Sequence, residues 1–322
     1  MDILPCPFTG ARIYPEATQS VNGEAIAYDP HAHALVPADT AICCAHRERL
    51  GCSWTAAEPG GLCLSCATTT VVPDLSTPEA EAFWAATEAA KRWVFAGLIR
   101  LGWFSSDRPN LPEFHLLSEK VEGRRTQVMM GHDEGLITLN IMEADPAIAL
   151  KRKQEFGEPL RTMIGHVRHE MAHFLFERLA REEPGFLPAF RNLMGDERAD
   201  YGEALQAYYD NGPTPGWQDR HISTYASAHP HEDWAESCAN ALHLEDMAKA
   251  ARELGIAPEG DTPLDQAQTV GIGLNHLCRS LGQPDPYPMV ISPVVRQKLD
   301  FAMSWLDRTR PGVTQPRERA TA

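Results

Sequence analysis

The sequence predicts an α+β fold, with a small cysteine-rich module over residues 1–75 and a mainly helical domain with a small β-sheet over residues 76–308. Six of the eight cysteines lie within the first 66 residues, in a segment that has no lysine and is rich in turn-forming residues. From residue 77 onward, apolar residues recur at the three- and four-residue spacings of amphipathic helices. We expect residues 309–322 to form a disordered tail.

Charge and apolar patterning argue against two classes of partner. The chain has 29 lysines and arginines against 44 aspartates and glutamates, so its net charge is −15. Nucleic acids and anionic membranes are both bound by clustered basic residues, which this chain lacks, so neither partner is expected. The N-terminus has no basic and apolar stretches typical of a signal peptide, and no apolar run approaches the roughly 18 residues of a membrane span. We therefore predict a cytoplasmic protein whose clustered, reduced cysteines bind metal.

The first elements of the larger domain follow from capping and turn signals. A helix is expected to begin at Thr77-Pro78-Glu79, where proline takes the first helical position, and to end at Gly102. Residues 126–130 and 136–141 predict a β-hairpin around a turn at residues 132–135.

Four further helices are predicted from apolar periodicity, proline and glycine. They span residues 159–181, 196–209 and 230–248, and the last begins at Ser292-Pro293. The first of them has an apolar stripe along one face, which indicates a buried helix.

The motif His169-Glu170-Met171-Ala172-His173 lies in that buried helix. Histidines four residues apart project from one helical face, so both imidazoles can bind a single Zn²⁺ ion. Glu170 lies beside them and can accept a proton from a water molecule that the metal activates. The sequence therefore predicts a catalytic zinc site on this helix.

A catalytic zinc needs a third protein ligand, and two acidic clusters compete for that position. The nearer is Gly195-Asp196-Glu197-Arg198-Ala199-Asp200-Tyr201, in which Glu197 is the candidate ligand. The farther contains Glu232 and Glu236, which share one helical face. One of that pair can bind the metal while the other orients a ligand histidine. His166 is expected either to support a ligand or to be a buried structural histidine. His229 and His231 are expected to be helix-cap or surface residues, with His229 lining the cleft as an alternative.

Together, the His169–His173 motif and Glu232-Asp233-Trp234-Ala235-Glu236 resemble the gluzincin metallopeptidases. The match over residues 44–244 is closer still to a bacterial zinc-binding metallopeptidase family with an N-terminal zinc ribbon. The resemblance implies a zincin-type metallopeptidase domain in which Glu232 is the third zinc ligand. On that assignment Glu236 orients a ligand histidine, and Asp196, Glu197 and Asp200 contact the ligands or pack between helices beside the site.

A second resemblance, to lethal-factor-like metallopeptidases, concerns a tyrosine. In those enzymes a tyrosine seven residues before the ligand glutamate supports the transition state, and Tyr225 stands seven before Glu232. A phenol hydroxyl can donate a hydrogen bond to the oxyanion of the attacked carbonyl. Tyr225 is therefore the candidate for that role.

The N-terminal cysteines predict a second, structural zinc. Cys44, Cys52, Cys63 and Cys66 supply four thiolates, which close the coordination shell and leave no position for chemistry. Cys43 is an alternative to Cys44, but the resemblance assigns Cys44. The zinc ribbon of the family usually has a further pair of Cys-x-x-Cys motifs, and this chain departs from that pattern.

At the positions of that missing pair the chain has Cys6, His31 and His33, which leave a further structural zinc open as an alternative. Loss of that site is the preferred interpretation. Cys238 and Cys278 are expected to be core residues.

We predict a hydrolase with one catalytic and one structural zinc that cleaves a peptide or amide bond of a peptide or protein substrate. The strand at residues 136–141 is expected to lie at a sheet edge and pair with an extended substrate. A zinc-dependent scaffold with an inactive peptidase-like domain is the alternative, and an amidase acting on a modified amino acid is a third. A protein partner is expected to bind through the cysteine module.

Overall fold

The computed structural model describes residues 3–104, 110–121, 124–156, 162–287 and 291–309, and it confirms the predicted α+β fold. Its strands are β1 (Leu4–Pro5), β2 (Arg12–Ile13), β3 (Ile26–Asp29), β4 (Ala34–Pro37), β5 (Thr69–Val71), β6 (Glu113–Leu117), β7 (Lys120–Val121), β8 (Arg124–Arg125), β9 (Gly131–Asp133) and β10 (Leu136–Asn140). Its helices are α1 (Arg47–Leu50), α2 (Ala80–Arg100), α3 (Pro146–Phe156), α4 (Met163–Glu182), α5 (Phe186–Met194), α6 (Tyr201–Asn211), α7 (Pro230–Glu253), α8 (Pro263–Ser280) and α9 (Pro293–Leu306).

The chain divides into two compact units. The first comprises Met1–Met171 and His243–Pro288, and the second comprises Ala172–Leu242 and Met289–Ala322. The predicted domain boundary at residues 75/76 stays a prediction. The predicted tail lies outside the described residues from residue 310 onward.

The first unit contains a four-stranded sheet in the order β5-β6-β10-β9. Strands β5 and β10 both run parallel to β6, whereas β9 is antiparallel to β10. The expectation that β10 lies at a sheet edge is wrong, because β6 pairs along its whole length and β9 pairs with it at Leu136, Ile137 and Thr138. An extended substrate therefore has no open edge of β10 to pair with at these three residues.

The predicted hairpin is correct in its second strand and wrong in its first. Residues 126–130 form no strand, and the partner of β10 is β9. Glu134 and Gly135 both have positive φ, at 46° and 89°, as the two central residues of a tight hairpin turn do. Because the turn takes only these two residues, His132 and Asp133 pair within the sheet instead of forming the turn.

Helix α2 is the predicted first helix, and it packs its apolar face in the core of the first unit. It begins three residues after the predicted start, and Gly102 follows its end with φ of 82°. The ring of Phe95 stacks on Phe104 and contacts Phe114 of β6. The same helix also buries Glu88, Lys91 and Arg92, which is unusual for charged residues.

The second unit has an aromatic core. Its members come from α4, α5, α7 and α9: they are Phe176, Phe186, Phe190, Trp234, Phe301 and Trp305. Helix α6 begins at Tyr201 and not at residue 196, since the carboxylate of Asp200 caps the helix by accepting from the backbone N–H of Glu203 at 2.8 Å.

The other predicted helices are present with shifted ends. Helix α7 extends past residue 248 to Glu253, and α9 begins as predicted after its cap, Ser292. Helix α4 begins at Met163, and the predicted start at residue 159 lies outside the described residues. In the part of the chain that the structure describes, no helix combines the length and apolar character needed to cross a bilayer.

Candidate metal sites

Helix α4 carries the two histidines of the predicted catalytic site. Its buried face includes Val167, Met171 and Leu175, which recur every four residues and hold the helix in the interior. His169 and His173 are half-buried, one turn apart. Glu170 is buried on the same turn, with 7% of its surface exposed.

Helix α7 brings a carboxylate to this histidine pair. Glu232, in the first turn of α7, is 1% exposed, and its Oε1 lies 3.6 Å from Nε2 of His173. His169, His173 and Glu232 each have a ligand atom within 4.8 Å of the other two. Donor atoms around one tetrahedral zinc are separated by about 3.3 Å, so this donor set fits the ion with small adjustments.

The two residues after Glu232 explain why α7 holds this position. Trp234 is fully buried, and its Nε1 donates to the backbone carbonyl of Ala172, the residue before His173, at 2.8 Å. Asp233 pairs with the buried Lys298 of α9, whose Nζ also donates to the carbonyl of Arg220 at 2.7 Å. His221 lies 3.3 Å from the same Asp233 carboxylate. The start of α7 is therefore anchored to both α4 and α9.

Glu197, the rival ligand, is bound by Arg191 in the structure. Its carboxylate accepts from Nε of Arg191 at 3.0 and 2.9 Å, and this guanidinium holds the pKa of Glu197 below its usual value. Glu197 is not among the three residues whose ligand atoms converge. Asp200 caps α6, and Glu236 lies one turn after Glu232 with a partly exposed surface.

Tyr201 is a site residue that the sequence reasoning missed. Its hydroxyl donates to Oε1 of Glu232 at 2.6 Å, and its ring lies edge-on to His229 with 5.2 Å between centroids. No local sequence pattern indicates this contact, because Tyr201 and Glu232 are 31 residues apart in the chain. Tyr225 has its ring 5.8 Å from that of Tyr208. Its catalytic role stays a prediction.

The flanking histidines pack around the ligands. His229 donates from Nε2 to the carbonyl of Ala199 at 3.1 Å, which leaves its Nδ1 to accept from the backbone N–H of His231 at 3.1 Å. The His229 and His231 rings are stacked, and burial lowers the pKa of His231 to about 4. His166 lies 3.4 Å from the carboxylate of the buried Glu143.

The predicted cysteine site is also assembled. Cys44, Cys52, Cys63 and Cys66 are all buried, and their sulfurs lie within 4.8 Å of one another. Sγ of Cys52 is 3.8 Å from Sγ of both Cys63 and Cys66, which matches the separation of about 3.8 Å expected for thiolates around a tetrahedral zinc. Backbone N–H groups of Cys63 and Cys66 point at Sγ of Cys44 and Cys63 at 3.3 Å.

Electrostatics at the cysteine site favour a bound cation. The hydrogen bond from Cys52 lowers the pKa of the Cys44 thiol, whereas the bond to Cys44 raises that of Cys66. Four sulfurs this close cannot all be thiolates without a divalent ion. Arg92 of α2 donates to Sγ of Cys66 at 3.9 Å, so its buried charge offsets the negative charge that four thiolates keep after binding one Zn²⁺.

The structure does not gather Cys6, His31 and His33 into a metal-binding group, although all three are described. His33 instead has its Nδ1 2.8 Å from the hydroxyl of Tyr28. Cys238 is buried, as expected for a core residue, whereas Cys278 is only half-buried.

Comparison with known proteins gives the same assignment for most of the chain. The model of a family described as "Putative zinc-binding metallo-peptidase" matches residues 80–305. The chain is also 33% identical, over 98% of its own length and 98% of theirs, to Uncharacterized protein Rv2568c of Mycobacterium tuberculosis and Uncharacterized protein Mb2598c of Mycobacterium bovis. No solved structure matches it significantly. The chain belongs to this zinc-binding metallopeptidase family, as the sequence resemblance implied.

Proposed function

We propose that this protein is a zinc-dependent hydrolase that cleaves a peptide or amide bond, with Glu170 as the general base. The strongest support is that the imidazoles of His169 and His173 on α4 lie close to the carboxylate of Glu232 on α7. The buried Glu170 is next to His169 in the chain. Two histidines and one carboxylate form one of the donor sets of catalytic zinc sites, in which three protein ligands leave a coordination position open.

His169, His173 and Glu232 would hold the zinc ion. When bound, zinc supplies Lewis-acid activation of water and of the substrate carbonyl. The hydrogen bonds and ion pairs of Trp234 and Asp233 keep Glu232 in register with the histidines.

Glu170 moves the proton. Its carboxylate accepts a proton from the attacking water as the water oxygen bonds to the carbonyl carbon. It then delivers that proton to the leaving nitrogen as the carbon–nitrogen bond breaks. The products are a carboxylic acid and an amine, and Glu170 is again a carboxylate. Tyr225 is the proposed donor to the carbonyl oxygen while that oxygen carries negative charge.

The test is cleavage of a peptide library, with products identified by mass spectrometry. Wild-type protein should cleave, lose activity with a chelator and regain it with added zinc. Glu170→Gln should retain zinc but lose at least about 100-fold in rate, the scale of general-base contributions. Glu177→Gln is the matched control, because Glu177 is an exposed carboxylate two turns further along the same helix.

Two outcomes would contradict the proposal. Full hydrolysis by Glu170→Gln would exclude Glu170 as the base. No cleavage by a wild-type protein that holds zinc at His169 and His173 would favour a scaffold role. The identity of the substrate, binding of a partner through the cysteine module and a cytoplasmic location stay predictions.

A further inference from the structure

Tyr201 is the first residue of α6, and the local structure fixes its position. Asp200 caps the helix immediately before it. The carbonyl of Ala199, two residues before it, accepts the hydrogen bond from Nε2 of His229. The ring of Tyr201 packs edge-on against the imidazole of that same His229. The acidic segment before α6 therefore positions Tyr201 beside the start of α7.

The hydroxyl of Tyr201 reaches the ligand carboxylate itself. It donates to Oε1 of Glu232 at 2.6 Å, and the same oxygen lies 3.6 Å from Nε2 of His173. The Glu232 carboxylate is almost fully buried, so a donor to one of its oxygens determines how the group is oriented. Tyr201 itself is 43% exposed.

We propose that Tyr201 is a positioning residue for Glu232: its hydroxyl holds the carboxylate in the orientation that binds the metal. The inference rests on the proposed function, since it takes His169, His173 and Glu232 as the zinc ligands. Hydrogen bonds to metal ligands from surrounding groups typically change metal affinity 10- to 100-fold. Loss of the Tyr201 hydroxyl should weaken metal binding at this site by about that factor.

The test measures metal affinity and needs no substrate. Protein that keeps its cysteine-bound metal is titrated with Co²⁺, whose absorption spectrum at a histidine–carboxylate site lacks the near-ultraviolet sulfur charge-transfer band of a cysteine site. Tyr201→Phe keeps the aromatic ring and removes only the hydroxyl. Tyr209→Phe is the matched control, because Tyr209 lies on the same helix and is 67% exposed.

Tyr201→Phe should weaken Co²⁺ binding about 10- to 100-fold and alter the visible bands, while Tyr209→Phe should match the wild type. A second comparison uses Glu232→Gln. In that background, adding Tyr201→Phe should change the affinity much less than it does in the wild type, because the hydroxyl acts through the carboxylate.

The outcomes separate this inference from the proposed function. If the wild type takes up no Co²⁺ at the histidine–carboxylate site, the proposed function fails and this inference fails with it. If the wild type binds Co²⁺ and Tyr201→Phe binds it as tightly as Tyr209→Phe does, only the role of Tyr201 is overturned. An equal effect of Tyr201→Phe in the wild-type and Glu232→Gln backgrounds would also overturn it.

Discussion

His243 of α7 is held as a neutral acceptor inside the first unit. Its Nδ1 contacts the guanidinium of Arg168, which also pairs with Asp246, and the indole of Trp93 donates to that carboxylate at 3.1 Å. Burial, together with the Arg168 charge, lowers the pKa of His243 to about 3. Arg168 directly precedes His169, so this polar cluster fixes the backbone of α4 next to the histidine pair.

This single histidine should make stability depend on pH. The unfolded chain binds a proton at His243 near pH 6.5, but the folded chain does so only near pH 3. The stabilisation from His243 is therefore complete above pH 6.5 and falls as the pH decreases toward 3. Between pH 7.5 and pH 5, the free energy of unfolding should drop by about 2 kcal/mol more for the wild type than for His243→Gln. Urea unfolding of both proteins at the two pH values measures this difference, and equal drops would contradict it.

At the scale of elements, the start of α7 is the junction on which the ligand geometry depends. The motif Glu232-Asp233-Trp234 uses three successive residues for three purposes. Glu232 faces the histidines, Asp233 faces Lys298 of α9, and Trp234 bonds to the backbone of α4. The ion pair of Asp233 and Lys298 is buried, with side-chain exposures of 1% and 5%. A buried pair of this kind costs much when only one partner is removed.

Removing both partners should therefore cost less free energy of unfolding than the sum of the two single removals. Lys298→Met leaves a buried carboxylate without its cation, and Asp233→Leu leaves a buried ammonium, so each should cost about 3 kcal/mol. The loss of unfolding free energy in the double variant should be smaller than the sum of the two single losses by at least about 1 kcal/mol. Urea unfolding of the four proteins gives this coupling energy. Purely additive effects would show that the pair does not anchor α7 to α9.

Across the whole molecule, the features predicted best from the sequence are those that residues close together in the chain determine. The His169–His173 spacing, the four cysteines and the start of α9 all depend on residues close together in the chain. The choice of Glu232 over Glu197 came from resemblance; in the structure Glu232 lies with the two histidines, whereas Arg191 binds the carboxylate of Glu197. The contact of Tyr201 with Glu232 spans 31 residues, and no local pattern indicates it.

Other elements were missed for similar reasons. The parallel pairing of β10 with β6 joins segments 23 residues apart in the same register, which alternation of apolar residues cannot reveal. Helix α8, in contrast, begins with a local sequence signal. Thr262 and Asp265 form a reciprocal capping box, with Pro263 in the first turn.

The most direct test of the account is the zinc content per chain after dialysis against a weak competing chelator, compared between matched variants. We predict two zinc ions in the wild type, in Glu197→Ala and in Cys43→Ser. We predict one in Glu232→Ala, which loses the histidine-bound ion, and one in Cys52→Ser, which loses the cysteine-bound ion. If Glu197→Ala lost zinc and Glu232→Ala retained both ions, the assignment of His169, His173 and Glu232 as the metal site would be contradicted.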